Sequence, residues 1–129
     1  MAEAQHVSLY ETIGGQETVR KVTTTFYDLM EAEPSYADLR ALHPDDLTET
    51  RASLEGFLTA WLGGPRDWFT RNPGKCIMSA HASVPITPET TQQWIEAMAR
   101  AMGASGIEQG MAVRICLSLA RMASAMSRS

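Results

Sequence analysis

Glycine and proline cut this sequence into lengths that helices use well. The breaks fall at Gly14-Gly15, Pro34, His43-Pro44, Gly63-Gly64-Pro65, Asn72-Pro73-Gly74 and between Gly103 and Gly106, and each is a residue type that ends a helix or turns the chain. Between the breaks apolar residues return at three and four positions and nowhere alternate as a strand would require. From Glu17 to Ala32 the inner side is Val19, Val22, Phe26 and Leu29, with Tyr27 at its edge beside Thr23 and Met30. The same spacing joins Leu47, Thr50, Leu54, Phe57, Leu58 and Trp61, then Trp94, Ala97, Met98 and Ala101, then Ile107, Met111, Ile115, Leu119, Met122 and Met126. An all-α fold follows, with two helical pairs on either side of the segment that carries His81.

Helix starts are also legible. Ser8 to Glu11 and Asp46 to Glu49 have the spacing of capping boxes, and Thr87-Pro88-Glu89 puts a capping hydroxyl, a first-position proline and an acid in the right order. Tyr36 to Leu42 reads as one or two turns, and Arg66 to Gly74 as a loop holding Trp68 and Phe69. At 129 residues the chain is expected to form one domain, residues 1–129, that buries about two-thirds of its unfolded surface. Residues 1–7 are expected to fray, and 8–126 to form the helical core.

A net charge of −4 and a pI near 5.3 lack the basic field that nucleic acid or an anionic membrane needs. Neither a secretory leader nor a membrane span is legible, since Arg114 and Arg121 interrupt the most apolar stretch. A cytoplasmic location is expected. Cys76 and Cys116 are too few for a disulfide framework and read as small apolar residues. Phosphate loops, zinc-helix motifs, serine elbows and the sequence that attaches haem covalently are all absent.

What remains is a histidine, His81, on the short apolar run Lys75 to Ala82, an inward tyrosine on another helix and a tryptophan on a third, in a methionine-rich chain. Periodicity alone favours ordinary core packing for this set. The sharper alternative is a haem pocket, with a neutral imidazole for iron, apolar walls and a few polar groups facing a small ligand.

The landmarks, in order, are Gly14-Gly15, Phe26-Tyr27, Gly63-Gly64-Pro65, His81 and Trp94. In that order the chain resembles the truncated haemoglobins, group II, from about Leu9 to Met122. The resemblance implies a two-over-two helical sandwich around haem b. His81 would be the iron ligand, and Tyr27 would donate its phenolic hydrogen to a ligand on the opposite side, with Trp94 lining the haem and able to donate its indole hydrogen. Phe26, Thr50, Leu54, Phe57, Lys75, Ile77, Met78, Trp94 and Met98 would contact the haem. The chain departs from the usual pattern at His43, where tyrosine or phenylalanine is common, so an imidazole that titrates near neutrality joins the expected ligand contacts. Ser53 stands where a basic residue often meets a propionate, which leaves Arg66, Arg71 or Lys75 for that role.

The implied activity is binding of O2, NO, CO or peroxide for redox chemistry, peroxidase-like or nitric oxide dioxygenase-like, with a reductase as partner. An oxygen or sulfide carrier or sensor without turnover is the alternative, and a haem-free helical interaction domain the third reading. The chain is expected to act as a monomer or a homodimer.

Overall fold

The computed structural model describes residues 8–71 and 86–126. Along them run α1 (Leu9–Ile13), α2 (Gly15–Ala32), a 3-10 turn (Pro34–Tyr36), α3 (Ala37–Ala41), α4 (Thr48–Trp61), α5 (Asp67–Arg71), α6 (Pro88–Ala104) and α7 (Gln109–Met126), with no strand among these residues. The architecture is the expected all-α two-over-two sandwich: α2 packs on α4 and on α6, and α6 pairs with α7.

The central place of α2 changes which of its residues are buried. A helix covered from one side needs a single stripe, but α2 is covered from two, so Val19, Val22, Thr23, Phe26, Tyr27 and Met30 are all buried while Leu29 is only partly so. Thr23 removes its hydroxyl from the apolar setting by donating to the Val19 carbonyl at 2.9 Å. Phe26, Met30, Met98, Met102, Leu58 and Ile115 are fully buried in the shared core, where each such side chain contributes up to about 1.5–3 kcal/mol.

The Gly63-Gly64 pair needs glycine twice, for different reasons. Gly63 closes α4 with φ +100°, a conformation that costs other residues strain, and a Cβ on Gly64 would lie 2.6 Å from the Tyr10 ring. Tyr10 is seated there by its amide, which donates to the Leu62 carbonyl at 2.9 Å. Its hydroxyl donates to Gln16 at 3.2 Å, and Thr59 donates to the same amide oxygen at 3.3 Å, so α1, α2 and α4 meet at one polar junction.

Three expectations are corrected. Asp67–Arg71 is a helix rather than loop: its acid opens the first turn and its arginine closes the last, as the helix dipole favours. Trp68 of this helix lies over Gly56, where a Cβ would come within 2.3 Å of the indole. Next, Asp46 does not cap as in a box. Its carboxylate accepts the Thr48 amide at 3.0 Å, a turn two residues long, and α4 starts at Thr48 behind the buried Leu47. Last, α6 runs through Gly103 to Ala104, and the break comes at Gly106 with φ +86°. The Thr87 cap stands, with Thr90 completing the reciprocal box.

Candidate functional site

The corner between α2, α4, α6 and the α3–α4 connection gathers four of the residues singled out from sequence. Phe26 is the hinge of this group: its ring meets Tyr27 edge-on at 5.0 Å and Trp94 edge-on at 5.5 Å. Tyr27 in turn meets the His43 imidazole at 6.1 Å, again edge-on. A continuous aromatic row Trp94, Phe26, Tyr27, His43 therefore links α6, α2 and the connection. Edge-to-face contact sets the positive rim of one ring against the negative face of the next, which fixes ring orientation as well as spacing.

His43 reaches this row by local hydrogen bonding. Its Nδ1 lies 2.9 Å from the Leu39 carbonyl; a carbonyl can only accept, so Nδ1 carries the proton. The Leu39 amide is itself held by the Gln93 side chain of α6 at 3.0 Å. Arg40 wraps the same connection, donating to the Pro44 carbonyl at 3.0 Å and the Asp45 carbonyl at 3.1 Å.

Tyr27 is 3% exposed. Burial pushes its phenol well above the ordinary range, and the nearby Arg51 guanidinium only partly offsets this. The hydroxyl is therefore neutral and keeps its proton to donate. Among the described residues it makes no hydrogen bond. Arg51 lies over the Tyr27 ring at 5.6 Å and pairs with Asp28 at 3.6 Å and Glu31 at 3.8 Å.

Of the other expected contacts, Met98 is fully buried on α6 and Phe26 on α2. Leu54 and Phe57 are half-buried on α4 against the core, and Thr50 is half-buried a turn before Leu54. Phe57 stacks on Trp61 at 6.3 Å with planes 21° apart. Arg66 and Arg71 are exposed at the two ends of α5. His81, Lys75, Ile77 and Met78 lie outside the described residues.

Sequence reasoning missed two members of this corner. Arg51 sits beside Thr50 and one turn before Leu54, but a charged residue on an amphipathic helix ordinarily faces water, and its tie to Tyr27 is visible only in space. Thr91 is one turn before Trp94 on α6, buried, and its hydroxyl has no hydrogen-bond partner among the described residues. A threonine at helical spacing from Trp94 and Met98 was the available signal.

A two-over-two helical sandwich that closes one corner around a buried tyrosine, a histidine and a tryptophan defines a globin of the truncated class. The chain belongs to the bacterial-like globin family, whose pattern it matches over residues 8–128. It is 34% identical over 99 residues to the group 2 truncated hemoglobin YjbI of Bacillus subtilis, spanning 77% of this chain and 72% of that one. Among solved structures it is similar to the group II 2-on-2 hemoglobin of Agrobacterium tumefaciens, with a TM-score of 0.91, 34% identity and 96% of each chain covered. It is also similar to the truncated oxygen-avid haemoglobin of Bacillus subtilis, with a TM-score of 0.84, 30% identity and 95% of this chain and 100% of that chain covered.

The family is one of haem proteins that bind diatomic ligands, and the described residues fit such a group. Leu54, Phe57 and Trp94 present apolar surface that the core does not fully enclose, the lining a flat apolar macrocycle needs. The Tyr27 phenol, buried and donating to no described residue, is of the kind that meets a ligand. Among the described residues no cluster of His, Cys, Asp and Glu could hold a metal ion by itself, so a bare-metal centre has no support there.

Proposed function

We propose that this chain holds haem b with His81 as iron ligand and binds O2, NO, CO or peroxide beside Tyr27, Trp94 and His43. We further propose that it turns over nitric oxide or peroxide with electrons from a separate reductase. The observation that carries the reading is the buried, neutral Tyr27 phenol, which keeps its proton and donates it to no described residue. Haem, when bound, supplies an iron that takes a small ligand and exchanges electrons with it.

The chain's own residues supply the rest. Tyr27 donates a hydrogen bond toward a small anionic or partly anionic ligand, in a setting where low polarity strengthens that bond. His43, protonated on Nδ1 toward Leu39, holds its ring edge-on to Tyr27 with Nε2 left as the ring's acceptor nitrogen. Trp94 and Phe26 exclude water from the same corner, and Leu54, Phe57 and Met98 give the macrocycle apolar contact, with Thr50 at the mouth. Lys75, Ile77 and Met78 are assigned to the His81 side.

An absorption spectrum of the purified protein is the first test. A strong Soret band, lost in His81→Ala while helicity by circular dichroism is retained, supports the reading; a protein without the band is a haem-free helical domain. Oxygen dissociation is the second. One hydrogen bond of about 1.4 kcal/mol corresponds to a factor of about ten, so Tyr27→Phe is expected to release oxygen about tenfold faster. The Bacillus subtilis neighbour described as oxygen-avid favours retention without turnover as the second reading. Peroxide consumption with a reductant no faster than free haem decides for that reading.

A further inference from the structure

The hydroxyl of Tyr27 makes no hydrogen bond to a described residue, so none of these fixes where its tip points. The ring is oriented by what touches its edges and face: Phe26, His43 and Arg51. Phe26 is fully buried and set by the core. The other two are not. Arg51 is about one-third exposed and is held over the ring by its ion pairs to Asp28 and Glu31. His43 rides on a connection whose carbonyls are gathered by Arg40, and Arg40 is anchored by Glu31 at 3.4 Å. Both adjustable contacts of the tyrosine lead back to one carboxylate, with Oε1 on Arg51 and Oε2 on Arg40.

We propose that Glu31 is a positioning residue: by holding Arg51 over the Tyr27 ring and Arg40 around the His43 connection, it keeps phenol and imidazole aimed at the bound ligand. The inference rests on the assignment of Tyr27 to that ligand. Glu31 acts through these two arginines. Its side chain is 46% exposed and those of Arg40 and Arg51 are 23% and 34% exposed, so each pair is individually weak and open to screening by salt. A weak pair suffices for this task, because orienting a ring already confined by packing needs far less than folding the chain.

The test is oxygen and CO dissociation from the ferrous protein, with the C–O stretch of the CO complex by infrared spectroscopy as a second readout. At low salt, Glu31→Gln and Arg51→Gln are each expected to speed dissociation by about two- to fivefold, the range that exposed pairs support. Both should broaden or split the C–O band as the phenol takes more than one orientation. Raising salt from about 0.01 M to about 1 M shortens the screening length from about 30 Å to about 3 Å. The unaltered protein should then approach the Glu31→Gln rate, while Glu31→Gln, left with only the Arg51–Asp28 pair to screen, should respond less. In a Tyr27→Phe, His43→Phe background Glu31→Gln should change nothing further. Glu33→Gln breaks a comparable exposed pair, to Arg100 at 3.7 Å, without touching Arg40 or Arg51, and should leave the rate and the band as they were. An unchanged rate in Tyr27→Phe overturns the assignment of Tyr27, and the proposal with it. A fast Tyr27→Phe beside an unmoved Glu31→Gln, or a Glu31→Gln effect that persists without both phenol and imidazole, overturns the proposal alone.

Discussion

Tyr27 shows how one side chain can serve stability and function by the same physical fact. Because burial holds its proton, the folded chain keeps the phenol neutral at a pH where the unfolded chain ionises it, at the ordinary value of 10.0. The folded value is raised, so the stability it contributes is full below that pH and falls as pH rises above it. Tyr27→Phe keeps the ring contacts and removes the titration, and urea unfolding at rising alkaline pH is expected to show a shallower loss in the variant. Equal slopes would mean that the phenol is less buried than its 3% exposure indicates. At this scale sequence was informative about candidates and silent about partners. The Phe26-Tyr27 pair and Trp94 stand at helical spacings that mark an inner edge, whereas Arg51 carries no mark in one dimension that separates it from any charged residue on a helix.

Among the elements, those with strong punctuation were the legible ones. Thr87-Pro88 starts α6 where the chain says it should, because cap and proline act within a few residues and need no help from elsewhere. The short α5 was illegible for the opposite reason: five residues cannot sustain a helix alone, and this one exists because Trp68 has a seat on Gly56 of α4. That dependence is testable. Gly56→Ala puts a methyl 2.3 Å from the Trp68 ring, an overpacking expected to cost about 1–3 kcal/mol in spite of the better helix propensity of alanine. Thermal unfolding should show a lower midpoint, with Trp68→Leu in the same chain recovering part of it. A rise in the midpoint would mean that α5 lifts away from α4 at no cost.

Over the whole molecule the order of breaks and apolar stripes was enough for an all-α chain of two helical pairs, since four stripes of helical period with short links leave few ways to share one core, while the two-over-two arrangement followed from the family resemblance. What stayed hidden were the polar ties between elements, such as Gln16 to Thr59 and Leu39 to Gln93, because any glutamine or threonine could have made them. No helix among the described residues is long and apolar enough to cross a membrane. Two exposed carboxylates at helix starts give the molecule a common response to acid. Asp46 is held below its ordinary 3.8 by the Thr48 amide, and Glu108 below its ordinary 4.5 by the amides of Gly110 and Met111. With folded values depressed, their contribution is present above those ordinary values and is lost as pH falls through the folded ones. The combined Asp46→Asn, Glu108→Gln variant is expected to lose stability less steeply between about pH 5 and pH 2 in urea titrations; an unchanged acid limb would place the acid sensitivity elsewhere.

Glu31 also bears on how this chain can diverge. One carboxylate answering two arginines from different segments makes positions 31, 40 and 51 a linked set. Loss of either arginine shifts the load onto the other pair, and reversal of the charge at position 31 sets three cations against one another beside the tyrosine. If Glu31 positions the tyrosine as proposed, change in this corner is path-dependent: single substitutions at 31, 40 or 51 are expected to perturb it more than compensating changes made together.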